Sequence, residues 1–167
     1  MTSWLTIIGV GDDGIPGLSK SSLALVKSAR VLFASTRILT QQDFPDIAVH
    51  VWEDGYDSTL AKLMARRGQP TVLLATGDPM NFGIGATLST ILSPSEYQSI
   101  PAPSAFSLAA SKLGWSLQET ACISLHGRSV DQLARHLSPR VKVLALTSSG
   151  QTVSEVAALL QNCGYGR

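Results

Sequence analysis

The sequence alternates between strand-like and helix-like segments along its length, and this alternation constrains the fold more than any single motif does. Seven short segments are apolar or β-branched, at residues 5–10, 30–34, 48–52, 70–75, 97–101, 121–125 and 141–146. Six segments show helical periodicity, at residues 19–28, 59–67, 83–92, 104–113, 130–136 and 152–161. Alternation of this kind predicts an α/β fold with a mainly parallel sheet.

The composition excludes several classes of function. Charged residues make up only 15% of the chain and the formal net charge is +1. We therefore expect neither nucleic acid nor an anionic membrane as the main partner, because both favour dense basic patches. No apolar run approaches the length of a membrane span, and the amino terminus lacks the pattern of a signal peptide. Cys122 and Cys163 are isolated, which indicates reduced thiols in a cytoplasmic protein rather than a disulfide framework or a zinc site.

The pattern is interrupted once, at residues 114–120, and this segment is the candidate boundary between two lobes. We expect an amino-terminal lobe over residues 1–115, a linker over 116–120 and a second lobe over 121–167. Only two strand candidates follow Thr120, too few for a comfortable independent sheet. The second lobe is therefore expected to be incomplete and the chain to be cut short.

The loop after the first strand contains Gly9, Gly11 and Gly14, which match the pattern G-x-G-x-x-G of dinucleotide-binding folds. That site requires a helix directly after the third glycine, with its amides on a pyrophosphate. Here Pro16 lies in a turn-like segment, and the helix begins only near residue 19. Two carboxylates at residues 12 and 13 would also repel a pyrophosphate. The sequence therefore favours a loop that only turns the chain, rather than a dinucleotide-binding site.

Two further loops join a buried strand to a helix and are candidates for ligand binding. In the first, Gly77 allows close approach of a ligand and Asp78 supplies a carboxylate. The alternative is that Asp78 only caps a turn by accepting backbone N–H groups. In the second, Ser104 either caps the following helix or faces the same crevice with the free N–H groups of that helix.

The segment Leu125-His126-Gly127-Arg128 follows a strand near the expected boundary between the lobes. His126 and Arg128 belong either to a solvated surface loop or to the lining of a cleft, where Arg128 would hold an acidic ligand. The sequence contains no Ser-His-Asp set, no P-loop pattern and no metal-spaced cluster of His or Cys. This absence suits a reaction that needs positioning more than acid–base groups.

Taken together, several stretches resemble the tetrapyrrole methylase family, the S-adenosylmethionine-dependent enzymes of corrinoid and sirohaem synthesis. The stretches are residues 8–14, 76–79 with Gly83 and Gly85, and 101–107. Residues 103–110, 113–115, 124–128 and 146–150 further resemble the members of this family that act on precorrins in cobalamin synthesis. The resemblance runs from Trp4 to the last residues. It implies two α/β lobes with a cofactor cleft between them.

The resemblance also implies the ligands and the residues that hold them. S-adenosylmethionine, which leaves as S-adenosylhomocysteine, would be bound by Gly77, Asp78, Pro79, Asn81, Gly83, Ser104 and Ala105. The tetrapyrrole would be bound by Gly11, Asp12, Asp13, His126 and Arg128, with Arg37 as a further partner for its carboxylates. No protein nucleophile is implied, because an electron-rich carbon of the macrocycle attacks the methyl group itself. No catalytic residue and no metal ligand are assigned, and a homodimer is implied.

Two other functions stay open at this stage. One is a methylase of the same fold with another substrate, such as uroporphyrinogen or the modified histidine of elongation factor. The match over residues 124–128 favours a precorrin substrate over these. The other is a non-catalytic fragment that no longer binds the cofactor productively.

Overall fold

The computed structural model describes residues 3–39, 44, 46–52 and 56–166. The chain divides into two compact units, Met1–Ala105 and Phe106–Arg167. This division by contacts falls about ten residues before the linker expected at 116–120. The boundary between two functional lobes therefore stays a prediction.

The first unit is an α/β structure built on five strands. The strands are β1 (Leu5–Val10), β2 (Val31–Ser35), β3 (Ala48–Trp52), β4 (Thr71–Thr76) and β5 (Tyr97–Ile100). They form a parallel sheet in the order β3-β2-β4-β1-β5. The helices are α1 (Lys20–Ser28), α2 (Tyr56–Met64) and α3 (Ile84–Leu88). The predicted α/β fold with a parallel sheet is confirmed.

Both faces of this sheet are covered, which explains the continuous apolar runs in its central strands. On one face, Ile7 of β1 belongs to a buried cluster with Leu63 of α2 and Leu88 of α3. On the other face, Ile8 belongs to a buried cluster with Val26 of α1. Successive residues of β1 thus face opposite helical layers, as the period of two in a strand requires.

The connections reverse direction between the two central strands. From β1 the chain passes through α1 to β2 on one side of the sheet, and from β4 it passes through α3 to β5 on the other side. Because β1 and β4 are neighbours, the loops at their carboxyl ends leave in opposite directions. This is the switch point at which open parallel sheets bind ligands.

The second unit is smaller. It contains β6 (Thr120–Ser124) paired in parallel with β7 (Lys142–Leu146), together with α5 (Gly150–Asn162) and all but the first residue of α4 (Ala105–Leu113). Ile123, Leu125 and Leu133 form its buried cluster. In the part of the chain that the structure describes, no helix is both long and apolar enough to cross a membrane.

Three predicted helices differ from the structure. The helix predicted over 59–67 begins and ends three residues earlier, at Tyr56–Met64. The segment Val130–His136 is a 3₁₀ helix with one buried residue, Leu133. A seven-residue segment with so little packing has little to favour the α form. The helix predicted over 83–92 is α only over Ile84–Leu88, and residues 89–91 form turns.

Candidate functional site

The loop after β1 turns the chain and does not lead directly into a helix. The N–H of Gly14 donates to the carbonyl of Gly11 at 3.1 Å, and a 3₁₀ turn follows over Ile15–Gly17. Ser19 then caps α1, its Oγ accepting the N–H of Ser22 at 3.1 Å. The prediction that this loop lacks the helix of a dinucleotide site is confirmed.

The three residues predicted to face the substrate from this loop lie side by side on it. Asp12 and Asp13 are exposed, and Gly11 is half-buried. The carboxylate of Asp13 lies directly against the backbone of Gly17, where a Cβ would overlap it. Asp13 therefore packs on its own loop, although its side chain is exposed as that of Asp12 is. Their roles towards a substrate stay predictions.

The loop after β4 holds the second set of candidates. The N–H of Gly77 donates to the carbonyl of Val10 at 2.7 Å, and Gly77 has a φ of 64°, which favours glycine. The Oδ1 of Asp78 accepts the N–H of Met80 at 2.8 Å. Asp78 thus caps a turn, as the alternative reading of the sequence had it. Within the described residues its Oδ2 has no hydrogen-bond partner, so one carboxylate oxygen is available to a ligand.

The glycines at the start of α3 let this loop pack closely on the helix. Pro79 is fully buried, and its carbonyl accepts the N–H of Ala86 at 3.1 Å. A Cβ on Gly83 would lie 2.7 Å from that carbonyl oxygen, and one on Gly85 would lie 2.8 Å from it. Both glycines therefore have a structural reason that is independent of a cofactor.

The loop after β5 meets the loop after β4. The N–H of Ala102 donates to the carbonyl of Gly77 at 3.4 Å. A Cβ on Gly77 would lie 3.5 Å from the Cα of Ser104 and 3.9 Å from the N atom of Ala105. Ser104 is buried, and Ala105 begins α4. The structure thus places the candidates on these two loops together at the switch point.

The chemistry of this region suits a cationic ligand with hydrogen-bond donors. The N–H of Asn81 donates to the carbonyl of Asp78 at 3.1 Å. The free Oδ2 of Asp78 is an acceptor for an ammonium group or a hydroxyl. Gly77 packs against the loop after β5, and Ala105, which begins α4, is exposed. These features fit S-adenosylmethionine, and the assignment of individual contacts stays a prediction.

His126 and Arg128 lie in the second unit, in the turn after β6. Both side chains are exposed. The N–H of His126 lies 3.3 Å from the Oγ of Ser124, and the N–H of Gly127 donates to the Oγ of Ser148 at 3.2 Å. The turn is therefore held against the loop that follows β7. Its membership of a substrate site stays a prediction.

The structure also shows a pocket that sequence reasoning missed. It has a volume of about 400 Å³ and lies at the carboxyl ends of β2, β3 and β4 in the first unit. We call it the β2–β4 pocket; its lining residues are Ser35, Trp52, Leu73, Leu74, Ala75, Thr76, Phe82, Gly83, Ile84 and Thr87. Only Gly83 of these was a candidate from the sequence. Among the described residues, no group of three or more His, Cys, Asp or Glu side chains is placed to hold a metal ion.

Comparison with known proteins finds relatives of similar sequence and solved structures of similar fold. The chain is 40% identical over 168 residues to a precorrin-6Y C(5,15)-methyltransferase (decarboxylating) of Sinorhizobium sp., spanning 100% of this chain and 41% of that protein. It is 31% identical over 166 residues to the cobalt-precorrin-7 C(5)-methyltransferase of Salmonella typhimurium, spanning 97% of this chain and 80% of that protein.

The fold matches a solved structure of the methyltransferase CobJ with a TM-score of 0.70 at 19% identity, over 96% of this chain and 76% of that one. At this identity the match shows the fold alone. Residues 4–167 also match the family model of tetrapyrrole (corrin/porphyrin) methylases. Because that match covers nearly the whole chain, the chain belongs to the tetrapyrrole methylase family.

Proposed function

We propose that this chain is an S-adenosylmethionine-dependent methyltransferase that methylates a precorrin, of the precorrin-6Y or precorrin-7 type, at carbon 5 during cobalamin biosynthesis. The observation that carries the proposal is the similarity to two relatives whose names share methylation at carbon 5. The chain spans less than half the length of the decarboxylating relative but 80% of the relative named for carbon 5 alone. Methyl transfer at carbon 5 is therefore the activity that the covered region supports best.

The contact between the loops after β4 and β5 supports a cofactor site on the first unit. In this proposal the Oδ2 of Asp78 accepts a hydrogen bond from the cofactor, and Gly77, Pro79, Asn81, Gly83, Ser104 and Ala105 contact it through their backbone. When bound, S-adenosylmethionine supplies an electrophilic methyl group and leaves as S-adenosylhomocysteine. The two loops contribute position: they hold the donor at the carboxyl ends of the strands and exclude water from it.

The exposed polar side chains support a role in holding the substrate. Substrates of this class carry many carboxylates, and Arg37, His126 and Arg128 would bind them as cations or donors. Asp12 and Asp13 would accept hydrogen bonds from N–H groups of the tetrapyrrole rings. Gly11, which lies between β1 and these two residues, would contact the substrate through its backbone. No side chain is assigned a covalent role, because the nucleophile is a carbon of the substrate.

We propose a reducing, cytoplasmic setting for this enzyme, since Cys122 and Cys163 are free thiols. The family resemblance supports a homodimer that binds its small-molecule substrate without nucleic acid or membrane. Size-exclusion chromatography with light scattering tests the dimer directly.

The decisive experiment is calorimetric titration with S-adenosylhomocysteine of the parent chain, Asp78→Asn and Asp57→Asn. Asp78→Asn keeps an oxygen that can accept the N–H of Met80 but removes the charge. We expect one-site binding to the parent and a loss of about tenfold in affinity for Asp78→Asn, since hydrogen bonds to charged groups are worth about 1.5–3 kcal/mol. Asp57 is exposed on α2 in the same unit, so Asp57→Asn is expected to bind like the parent.

Two results would count against these assignments. Full affinity in Asp78→Asn would remove Asp78 from the cofactor site. A folded parent chain that does not bind S-adenosylhomocysteine would overturn the proposed cofactor function and favour the non-catalytic reading.

A further inference from the structure

The β2–β4 pocket is apolar and carries no charge among the described residues that line it. Its walls are aromatic and aliphatic, from Trp52 and Phe82 to Leu73 and Ile84, with hydroxyls at Thr76 and Thr87. A volume of about 400 Å³ lies within the usual range of about 300–1,000 Å³ for small-molecule sites. An ionised carboxylate would lose its hydration there without gaining a charged partner from the described residues that line the pocket. The pocket therefore suits an uncharged, apolar group.

Phe82 adopts a backbone conformation that a bulky residue rarely adopts. Its φ is 56°, and in the described chain Arg140 is the only other residue besides glycine with positive φ. The left-handed region costs a residue with a Cβ roughly 1–2 kcal/mol. Burial of the ring does not explain this cost, because 46% of Phe82 remains exposed. Backbone strain at a half-exposed aromatic residue beside a pocket is typical of a ligand-binding position.

A second departure from ordinary packing borders the same pocket. The Oγ of Ser35, at the carboxyl end of β2, is buried and has no hydrogen-bond partner in the described part of the chain. An unsatisfied buried hydroxyl costs about 1–3 kcal/mol. Ser35 lies opposite Trp52 in the pairing of β2 with β3, so both contribute to one wall. Local rules of folding are broken mainly where function requires it.

We propose that the β2–β4 pocket binds an uncharged ring edge of the tetrapyrrole, and that Phe82 is a specificity-determining residue that stacks on it. This inference rests on the proposed function, because that function supplies a large conjugated ring with charged substituents. The apolar pocket takes the ring edge, while the carboxylates stay in solvent. An aromatic wall favours a flat conjugated ring over an aliphatic group of equal size, because stacked π-systems add to the burial of apolar area.

The test compares the affinities of cobyrinic acid, a stable corrin polycarboxylate, and S-adenosylhomocysteine for the parent and four variants. Phe82→Gly removes the ring and relieves the strained φ, whereas Phe82→Leu keeps apolar bulk without the flat face. Arg140→Gly relieves the same kind of φ in the second unit. Ile91→Ala removes an apolar side chain that is exposed to a similar degree in the first unit.

We expect the Kd for cobyrinic acid to rise about tenfold in Phe82→Gly and about threefold in Phe82→Leu, from the loss of stacking and apolar contact. Arg140→Gly and Ile91→Ala are expected to bind the corrin like the parent. The affinity for S-adenosylhomocysteine is expected to be unchanged in Phe82→Leu, Arg140→Gly and Ile91→Ala. Phe82→Gly is left out of this comparison, because it also loosens the backbone between Asn81 and Gly83. Far-UV circular dichroism checks that each variant is folded, and Phe82→Leu carries the test if Phe82→Gly is not.

Three results would overturn the inference. Parent-like corrin binding by the Phe82 variants would remove Phe82 from the site. A parallel loss of corrin and S-adenosylhomocysteine would place Phe82 at the cofactor. A parent chain that binds S-adenosylhomocysteine but not the corrin would exclude the pocket as a macrocycle site, while the proposed cofactor function would stand on its own titration.

Discussion

At Gly9 the backbone of β1 packs tightly against the loops after β4 and β5, at the switch point. A Cβ at this position would overlap the carbonyl oxygen of Gly77 and lie 2.5 Å from the N atom of Ala102. Both neighbours are backbone atoms held by the sheet, so neither can move as a side-chain tip would. Glycine is needed here because β1 approaches the backbone of two neighbouring loops closely, although its sequence pattern matches that of dinucleotide-binding folds.

We therefore expect Gly9→Ala to lower the free energy of unfolding by about 1–3 kcal/mol, as overpacking in a rigid site does. Urea unfolding followed by circular dichroism measures the change. Gly150→Ala is the control, because nothing lies within 4 Å of its Cβ position. Since alanine favours a helix, the control should be unchanged or raised by less than about 1 kcal/mol. Equal stability of Gly9→Ala and the parent would show that the loops separate easily.

At the amino ends of the strands, one carboxylate ties three elements together. Glu96, just before β5, accepts two hydrogen bonds from Arg67, at 2.6 Å from Nε and 2.7 Å from Nη2. It also accepts the N–H of Ser93 at 3.0 Å and the indole N–H of Trp4 at 3.3 Å. The hydrogen bonds from Arg67, and then from Ser93, lower the pKa of Glu96 from 4.5 to about 2.

This shift predicts how acid affects stability. Because the pKa of Glu96 is lower in the folded state, its contribution to the free energy of unfolding is fully present above about pH 4.5. That contribution is lost as the pH falls through about 2. We expect the urea midpoint of the parent to fall over this window, and the midpoint of Glu96→Gln to fall less steeply. The control is Glu155→Gln on α5, where the carboxylate accepts only a side-chain hydrogen bond from Gln151 among the described residues. Parallel profiles for the parent and Glu96→Gln would contradict the prediction.

The elements could be predicted from the sequence because their signals are local. All seven strand segments were expected within one or two residues of their observed ends, since runs such as 72–74 are apolar and lie between turn residues. The start of the first helix near residue 19 was also predicted, and α1 begins at Lys20 with Ser19 as its cap. The segment Val130–His136 was predicted to be helical but forms a 3₁₀ helix, because the form of a short helix depends on packing, which the sequence pattern does not show.

The pocket could not be predicted, because it depends on pairing between distant segments. Trp52 and Ser35 meet only through the register of β3 on β2. Phe82 reaches the same pocket by a left-handed φ that no residue type signals, since this conformation is typical of glycine. By contrast, the loop with Gly77 and Asp78 could be predicted, because a glycine and a carboxylate directly after a buried strand are visible in the sequence.

The two units differ in how much apolar surface they bury. Among the described residues, the two buried clusters of the first unit contain ten and eight members, and the cluster of the second unit contains three. Burial of apolar side chains is the main favourable term in folding, at about 1.5–3 kcal/mol for each large residue. Each unit has its own cluster, so the two can open with different free energies.

We therefore expect the backbone amides of β6 and β7 to exchange with solvent at least about tenfold faster than those of β1 and β4, because tenfold in protection corresponds to only about 1.4 kcal/mol of opening free energy. Hydrogen exchange read by mass spectrometry at neutral pH measures both sets in one sample. Gly9→Ala supplies the matched test, since its overlap with Gly77 lies within the first unit. It should speed exchange in β1 and β4 while leaving β6 and β7 unchanged. If one substitution accelerated both sets equally, the chain would open as a single cooperative body, and the difference in buried clusters would not govern its local stability.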